Sequence, residues 1–222
     1  VFFLVFVVQT CMIVQHLVGR KLKRAPSAPD VSKSFNWTSW MIAVVVGSLR
    51  HDSLNRKLAT AIAKLGPLDF TFIQVEIGDL PLYDQSEDDS PAPPVRRLRE
   101  EIAASDGLLF VTPEYNRSIP GVLKNAIDHA SRPYGHSVWN GKPAGVLGVS
   151  VGAMGTAMAQ QHLRNVLAYL NVPTLGQPEA FIHAKDGLFD DVGNIGEASH
   201  AFLQDWMNHY TAWIRAHAGD RD

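Results

Sequence analysis

"VVVGSLRHDSLNRKLATAI" (residues 44–62) decides how this chain is read. It opens as a β-branched apolar run and closes with Leu54, Leu58, Ala61 and Ile62 at helical spacing. One buried strand therefore feeds one amphipathic helix. The loop between them carries Gly47, Ser48, Arg50, Ser53 and Asn55. The first N–H groups of a helix have no partner inside it, and they carry the positive end of its dipole. An anion placed there is stabilised by both effects. Ser48 and Ser53 add hydroxyls, Asn55 an amide and Arg50 a charge-assisted fork. A competing reading stays open on these residues alone: Ser53 caps the helix and Arg50 is a solvated surface residue.

Working outward, strand and helix signals alternate. Strands are expected at 42–47, 70–77, 107–113, 143–150 and ending at 180–183; helices at 53–65, 95–105, 121–131, 155–171 and 195–217. Gly66-Pro67 is read as the stop of the first helix, with the glycine at the position just past its end. Val95, Leu98 and Ile102 are read as facing inward, Met158, Leu163, Val166, Leu167 and Leu170 as available for burial, and the last helix carries Phe202, Leu203, Trp206, Tyr210, Trp213 and Ile214. Such alternation predicts an α/β fold, a parallel sheet covered by helices on both faces. Right-handed crossovers and five strands favour the order 2-1-3-4-5. The folded domain is expected to span 41–218.

In such sheets ligands bind at the carboxyl ends of the strands beside the switch point. Three polar loops fall there: 47–55, 113–120 and 150–156. The first is neither G-x-x-x-x-G-K-[ST] nor G-x-G-x-x-G, which disfavours nucleotide triphosphates and dinucleotides. Its donors suit a phosphate monoester that is held and not transferred, and FMN is the candidate. The second, "TPEYNRSIPGVLKNAID" (112–128), presents Glu114, Tyr115, Asn116 and Ser118 after a stiffening Pro113. A flat heterocycle could lie against Tyr115 and bond to Asn116 and nearby peptide groups. A turn whose tyrosine packs on the protein itself is the other reading.

"GSLRHDSLN" (47–55) followed by "PEYNRSIPGVLKNAID" (113–128) resembles the NADPH-dependent FMN reductases with the flavodoxin-like fold. The likeness runs from about Met41 to about residue 216. It implies a three-layer sandwich holding FMN, with NADPH or NADH as co-substrate. It further implies hydride passing through flavin N5 to a quinone, free flavin, azo dye or chromate, with no side chain needed as acid or base. Carried onto this chain, Ser48, Arg50, Ser53, Leu54 and Asn55 would hold the phosphate. Pro113, Glu114, Tyr115 and Asn116 would line the ribityl chain and ring, with Ser150, Gly152 and Gly155 at the third loop. "LPLYDQ" (80–85) resembles a loop that reaches over a flavin pocket, and an exposed Tyr83 would suit the interface of a homodimer or homotetramer. Thr156 departs from the family, which often carries a second glycine beside the one at 155.

Two other classes compete. "GVSVG" (148–152) matches the G-x-S-x-G elbow of serine hydrolases, and Asp190 and His200 follow Ser150 in their chain order. No HGGG-type oxyanion loop accompanies it, and the match leaves 47–55 and 113–128 without a role. A flavodoxin-type electron carrier is the other, although a formal charge of -2 is far from the acidity such carriers use for docking. The same near-neutral charge, without a basic stripe, argues against nucleic acid. One cysteine and nine scattered histidines argue against a disulfide framework and a metal site. A cytoplasmic enzyme is expected.

Residues 1–40 do not fit that picture. "VFFLVFVVQTCMIVQHLVG" is uncharged, "RKLKR" follows, and Met41 stands just before the first strand. The segment is read as an apolar extension and linker outside the fold. A membrane anchor competes, since a helix of that length would rise about 28 Å. A secretory signal is disfavoured because the basic residues come after the apolar run.

Overall fold

The computed structural model describes residues 39–219, so the expectations on the apolar stretch and linker up to residue 38 lie outside the described residues. The chain runs β1 (Trp40–Val46), α1 (Leu54–Ala63), β2 (Phe70–Val75), a short 3-10 turn (Gln85–Glu87) and α2 (Pro93–Ala103). It continues with β3 (Gly107–Val111), α3 (Gly121–Ala130), β4 (Ala144–Ser150), α4 (Ala157–Tyr169), β5 (Ala180–His183) and α5 (Glu197–His217). All neighbouring strands pair in parallel, in the order β2-β1-β3-β4-β5 expected from the alternation. The crossover from β1 goes to one side and the next crossover returns past it, so β1 and β3 flank the switch point.

That reversal distributes the helices. Ile42, Val44, Val46, Leu109 and Val111 face α1 and α5, packing on Leu58, Ile62, Leu203, Trp206, Tyr210 and Ile214. The alternate residues Ala43, Val45, Leu108, Phe110 and Val146 face α2, α3 and α4, meeting Leu98, Ile102, Leu123, Ile127, Leu163 and Leu167. Both faces are thus covered, and the strands read as unbroken apolar runs for that reason. Tyr210 fixes α5: its ring stacks on Trp206 at 5.2 Å, and its hydroxyl donates to the Leu108 carbonyl at 2.9 Å. Burial pushes that phenol well above its ordinary value.

Several local expectations are corrected. Gly66 is not a left-handed stop, since it is absent from the positive-φ residues; α1 ends in overlapping turns from Leu65 N–H to Ile62 O and Gly66 N–H to Ala63 O. A side chain at 66 would instead run into the Phe72 ring. Met158, available for burial by its spacing, is exposed. Helix α2 starts two residues early, because Pro93 and Pro94 occupy its first turn, where their missing N–H groups cost nothing. Among the described residues no helix is long and apolar enough to cross a membrane.

The ends of β1, β3 and β4 are laced together. Gly47 N–H donates to Val111 O at 2.9 Å, and Thr112 N–H donates to Leu147 O at 3.0 Å. Their following loops therefore leave the sheet side by side. Gly148 allows this closeness, because a Cβ there would overlap the Thr112 carbonyl and the Thr156 hydroxyl. Gly148→Ala is expected to cost about 3 kcal/mol of stability by overpacking, read as a lowered urea midpoint with unchanged slope.

Candidate functional site

The three loops enclose a cavity of about 210 Å³ lined by Ser48, Arg50, Ser53, Leu54, Asn55, Pro113, Glu114, Tyr115, Val149, Ser150 and Val151. Nine of the residues named from sequence meet there. Asn116, Gly152 and Gly155 do not line the cavity, and Val149 and Val151 join it without any motif to announce them.

The floor is the start of α1. Ser53 is its N-cap, in extended conformation, and its Oγ accepts from the Arg56 N–H at 3.3 Å. That satisfies one first-turn donor. The N–H groups of Leu54 and Asn55 bond to no other group among the described residues. Ser48 is buried beside them, and the Arg50 side chain is exposed at the rim with no ion-pair partner there among the described residues. Capping and anion binding are therefore compatible: one N–H is taken, two remain. Two backbone donors, a hydroxyl and a guanidinium are a donor set that fits a phosphate monoester.

Asn55 plays a different part from the side-chain donor expected. Its buried amide donates to Val149 O at 2.9 Å and accepts from Val149 N–H at 3.0 Å. The side chain ties the head of α1 to the end of β4; the pocket receives its backbone N–H. Glu114 is similarly engaged. Its Oε2 accepts from the N–H groups of Met158 at 2.9 Å and Ala159 at 3.1 Å, capping α4, whose own N-cap residue Thr156 makes no side-chain cap bond.

Tyr115 also lines the cavity and is 51% exposed. It begins a tight turn closed by reciprocal bonds between Tyr115 and Ser118, each 3.0 Å, with Asn116 (φ 52) and Arg117 (φ 64) in the left-handed region. Asn116 serves the turn's backbone, for which asparagine is among the best-suited residues. The ring of Tyr115 is left free to face a ligand and is not packed back on the protein.

At the third loop Ser150 Oγ donates to Gly155 O at 2.7 Å and accepts from Gly152 N–H at 3.1 Å. Its hydroxyl closes its own loop, and among the described residues it bonds to no histidine. Asp190 accepts from the N–H groups of Val192 and Asn194 and from the Asn194 amide. The bonds from Asn194 hold its carboxyl below the usual range. The nucleophile-elbow arrangement is not assembled. Gly155 has φ 58 and its Cβ position abuts the Phe181 backbone, so glycine is required there twice over. Thr156 is accommodated with φ -121, its hydroxyl accepting from Gln160 at 2.9 Å.

Tyr83 is a correction. It is half-buried, with its ring edge-on to His129 at 5.3 Å and its N–H donating to Asn125 Oδ1 at 2.8 Å. His129 and Asn125 also bond to Pro81 O. Pinning the loop from α3 turns Tyr83 inward and leaves Leu82, 87% exposed, at its tip.

Residues 40–187 match the family model described as NADPH-dependent FMN reductase. A 2-hydroxy-1,4-benzoquinone reductase from a Burkholderia species is 55% identical over 175 residues, covering 78% of this chain and 96% of that protein. A quinone reductase from Pseudomonas putida is 48% identical over 177 residues, covering 79% and 95% respectively. Among solved structures, FerB, a flavoenzyme NAD(P)H:(acceptor) oxidoreductase from Paracoccus denitrificans, superposes with a TM-score of 0.78 at 42% identity. It covers 81% of this chain and 99% of its own.

Asn55→Ala is expected to cost about 2–4 kcal/mol in a chemical-denaturation experiment, because the buried Val149 N–H and carbonyl both lose their partner.

Proposed function

The chain belongs to the NADPH-dependent FMN reductase family, and on that footing we propose that it is an FMN-dependent NAD(P)H oxidoreductase that reduces quinone-type acceptors. The observation that carries the reading is that Leu54 and Asn55, whose N–H groups have no partner among the described residues, line one cavity together with the half-exposed Tyr115. One end of that cavity suits a phosphate and the other a flat heterocycle.

FMN, when bound, supplies the hydride chemistry; the protein supplies position and electrostatics. Leu54 and Asn55 N–H, the Ser48 hydroxyl and the Arg50 guanidinium would hold the phosphate. Tyr115, Pro113 and the loop closed by Ser150 would shape the ring end. Val151 (79% exposed), Met154 (67%) and Met158 (38%) leave apolar surface on the nearby loops and the start of α4. Such a surface suits a planar acceptor that stacks against it. Both bacterial relatives are named for the reduction of quinones, which are planar rings. A homo-oligomer would cover Leu82, and we place the domain in the cytoplasm, where its reductant is supplied.

The test begins with the purified protein. Protein stripped of cofactor is expected to bind FMN stoichiometrically, and the yellow complex to bleach when NADPH is added without oxygen and to recolour with a benzoquinone. Arg50→Ala should weaken FMN binding by roughly 10–100-fold, the worth of a charge-assisted hydrogen bond. Protein that takes up no FMN would end the proposal. A complex that NADPH leaves yellow would point to an electron carrier. Ser150→Ala should keep most quinone turnover; an ester hydrolysis lost with that substitution would favour the hydrolase.

A further inference from the structure

The segment that carries Tyr115 is fastened to α4 at both ends. At its start Glu114 accepts from the Met158 and Ala159 N–H groups. At its finish the Ser118 hydroxyl meets the Nδ1 of His162 at 2.7 Å. His162 lies one helical turn beyond Met158, so both fastenings sit on one stripe of α4. Between them Asn116 and Arg117 hold the left-handed conformation, which side chains other than Asn and Asp avoid. The Tyr115–Ser118 backbone bonds close the turn on itself, and the two fastenings to α4 set how the closed turn sits on the protein. Pro113 and Ile119 are buried and fix where the segment leaves and rejoins the core. Neither orients the turn between them.

We propose that His162 is a positioning residue for the flavin-binding turn, holding Tyr115 at the cavity wall through its hydrogen bond to Ser118. His162 is itself exposed and absent from the cavity lining, so it acts without touching a ligand. The inference rests on the assignment of the cavity to FMN. Its consequence is that part of the flavin affinity is set by a residue of α4 outside the cavity lining.

Amide hydrogen exchange on the cofactor-free protein tests the clamp without any flavin. In His162→Ala, and separately in Ser118→Ala, the Tyr115 and Ser118 amides should exchange about tenfold faster, the factor that one net hydrogen bond is worth. The FMN dissociation constant should rise by a similar factor, with the global unfolding midpoint unchanged. His162→Asn places an amide oxygen near the Nδ1 position and should restore both values to within about twofold. Wild-type exchange in His162→Ala would overturn the clamp, as would an asparagine variant no better than alanine. Faster exchange with unaltered FMN affinity would overturn the positioning role. A wild-type protein that binds no FMN would instead undo the functional reading, with the exchange result left standing.

Discussion

The double hydrogen bond between the Asn55 amide and the Val149 backbone is the joint on which the site depends. It joins the first turn of α1 to the last residues of β4 across 94 positions of sequence. Because it uses both halves of the amide and is buried, it permits one relative placement of helix and strand. The unpartnered N–H groups of Leu54 and Asn55 are aimed by that placement. A helix start left loose would also carry a positive dipole end, but it would carry it in no fixed direction.

Of the helices that begin at this edge of the sheet, the protein treats α1 and α4 differently. The head of α4 receives a carboxylate from within, Glu114 on the β3 loop. The head of α1 receives only the Ser53 hydroxyl, which occupies one donor. One anion seat is filled internally and the other is left for an external group. The same Glu114 bonds draw the Tyr115 turn toward α4, so the choice of which helix to cap also sets part of the cavity lining.

The third loop shows how a short motif can carry two meanings. G-x-S-x-G places a serine on a tight turn after a strand, which suits a nucleophile. Here the Ser150 hydroxyl closes the turn itself, bonding to Gly155 O and Gly152 N–H. With its proton directed into its own loop, the serine is a staple. The glycines serve the same compactness: Gly148 lets β4 pass Thr112, and Gly155 lets the loop touch the Phe181 backbone.

Sequence periodicity by itself determined the five strands, the five helices and their order in the sheet, because burial on one or two faces imposes a local period that neighbouring residues must obey. It also determined which three loops meet, since handedness leaves few ways to thread a parallel sheet. Those loops together with the family resemblance named nine of the cavity residues. What only the tertiary structure decided was the partner of each polar side chain. Asn55, Glu114, Ser118 and Tyr83 each look like ligand or interface groups in their own stretch of chain. Their partners Val149, Met158, His162 and His129 lie 94, 44, 44 and 46 residues away respectively, or bond through the backbone, which leaves no trace in residue identity. A hydrogen bond needs an atom within about 3 Å, and which atom arrives there is set by how the layers pack, not by the pattern that formed them.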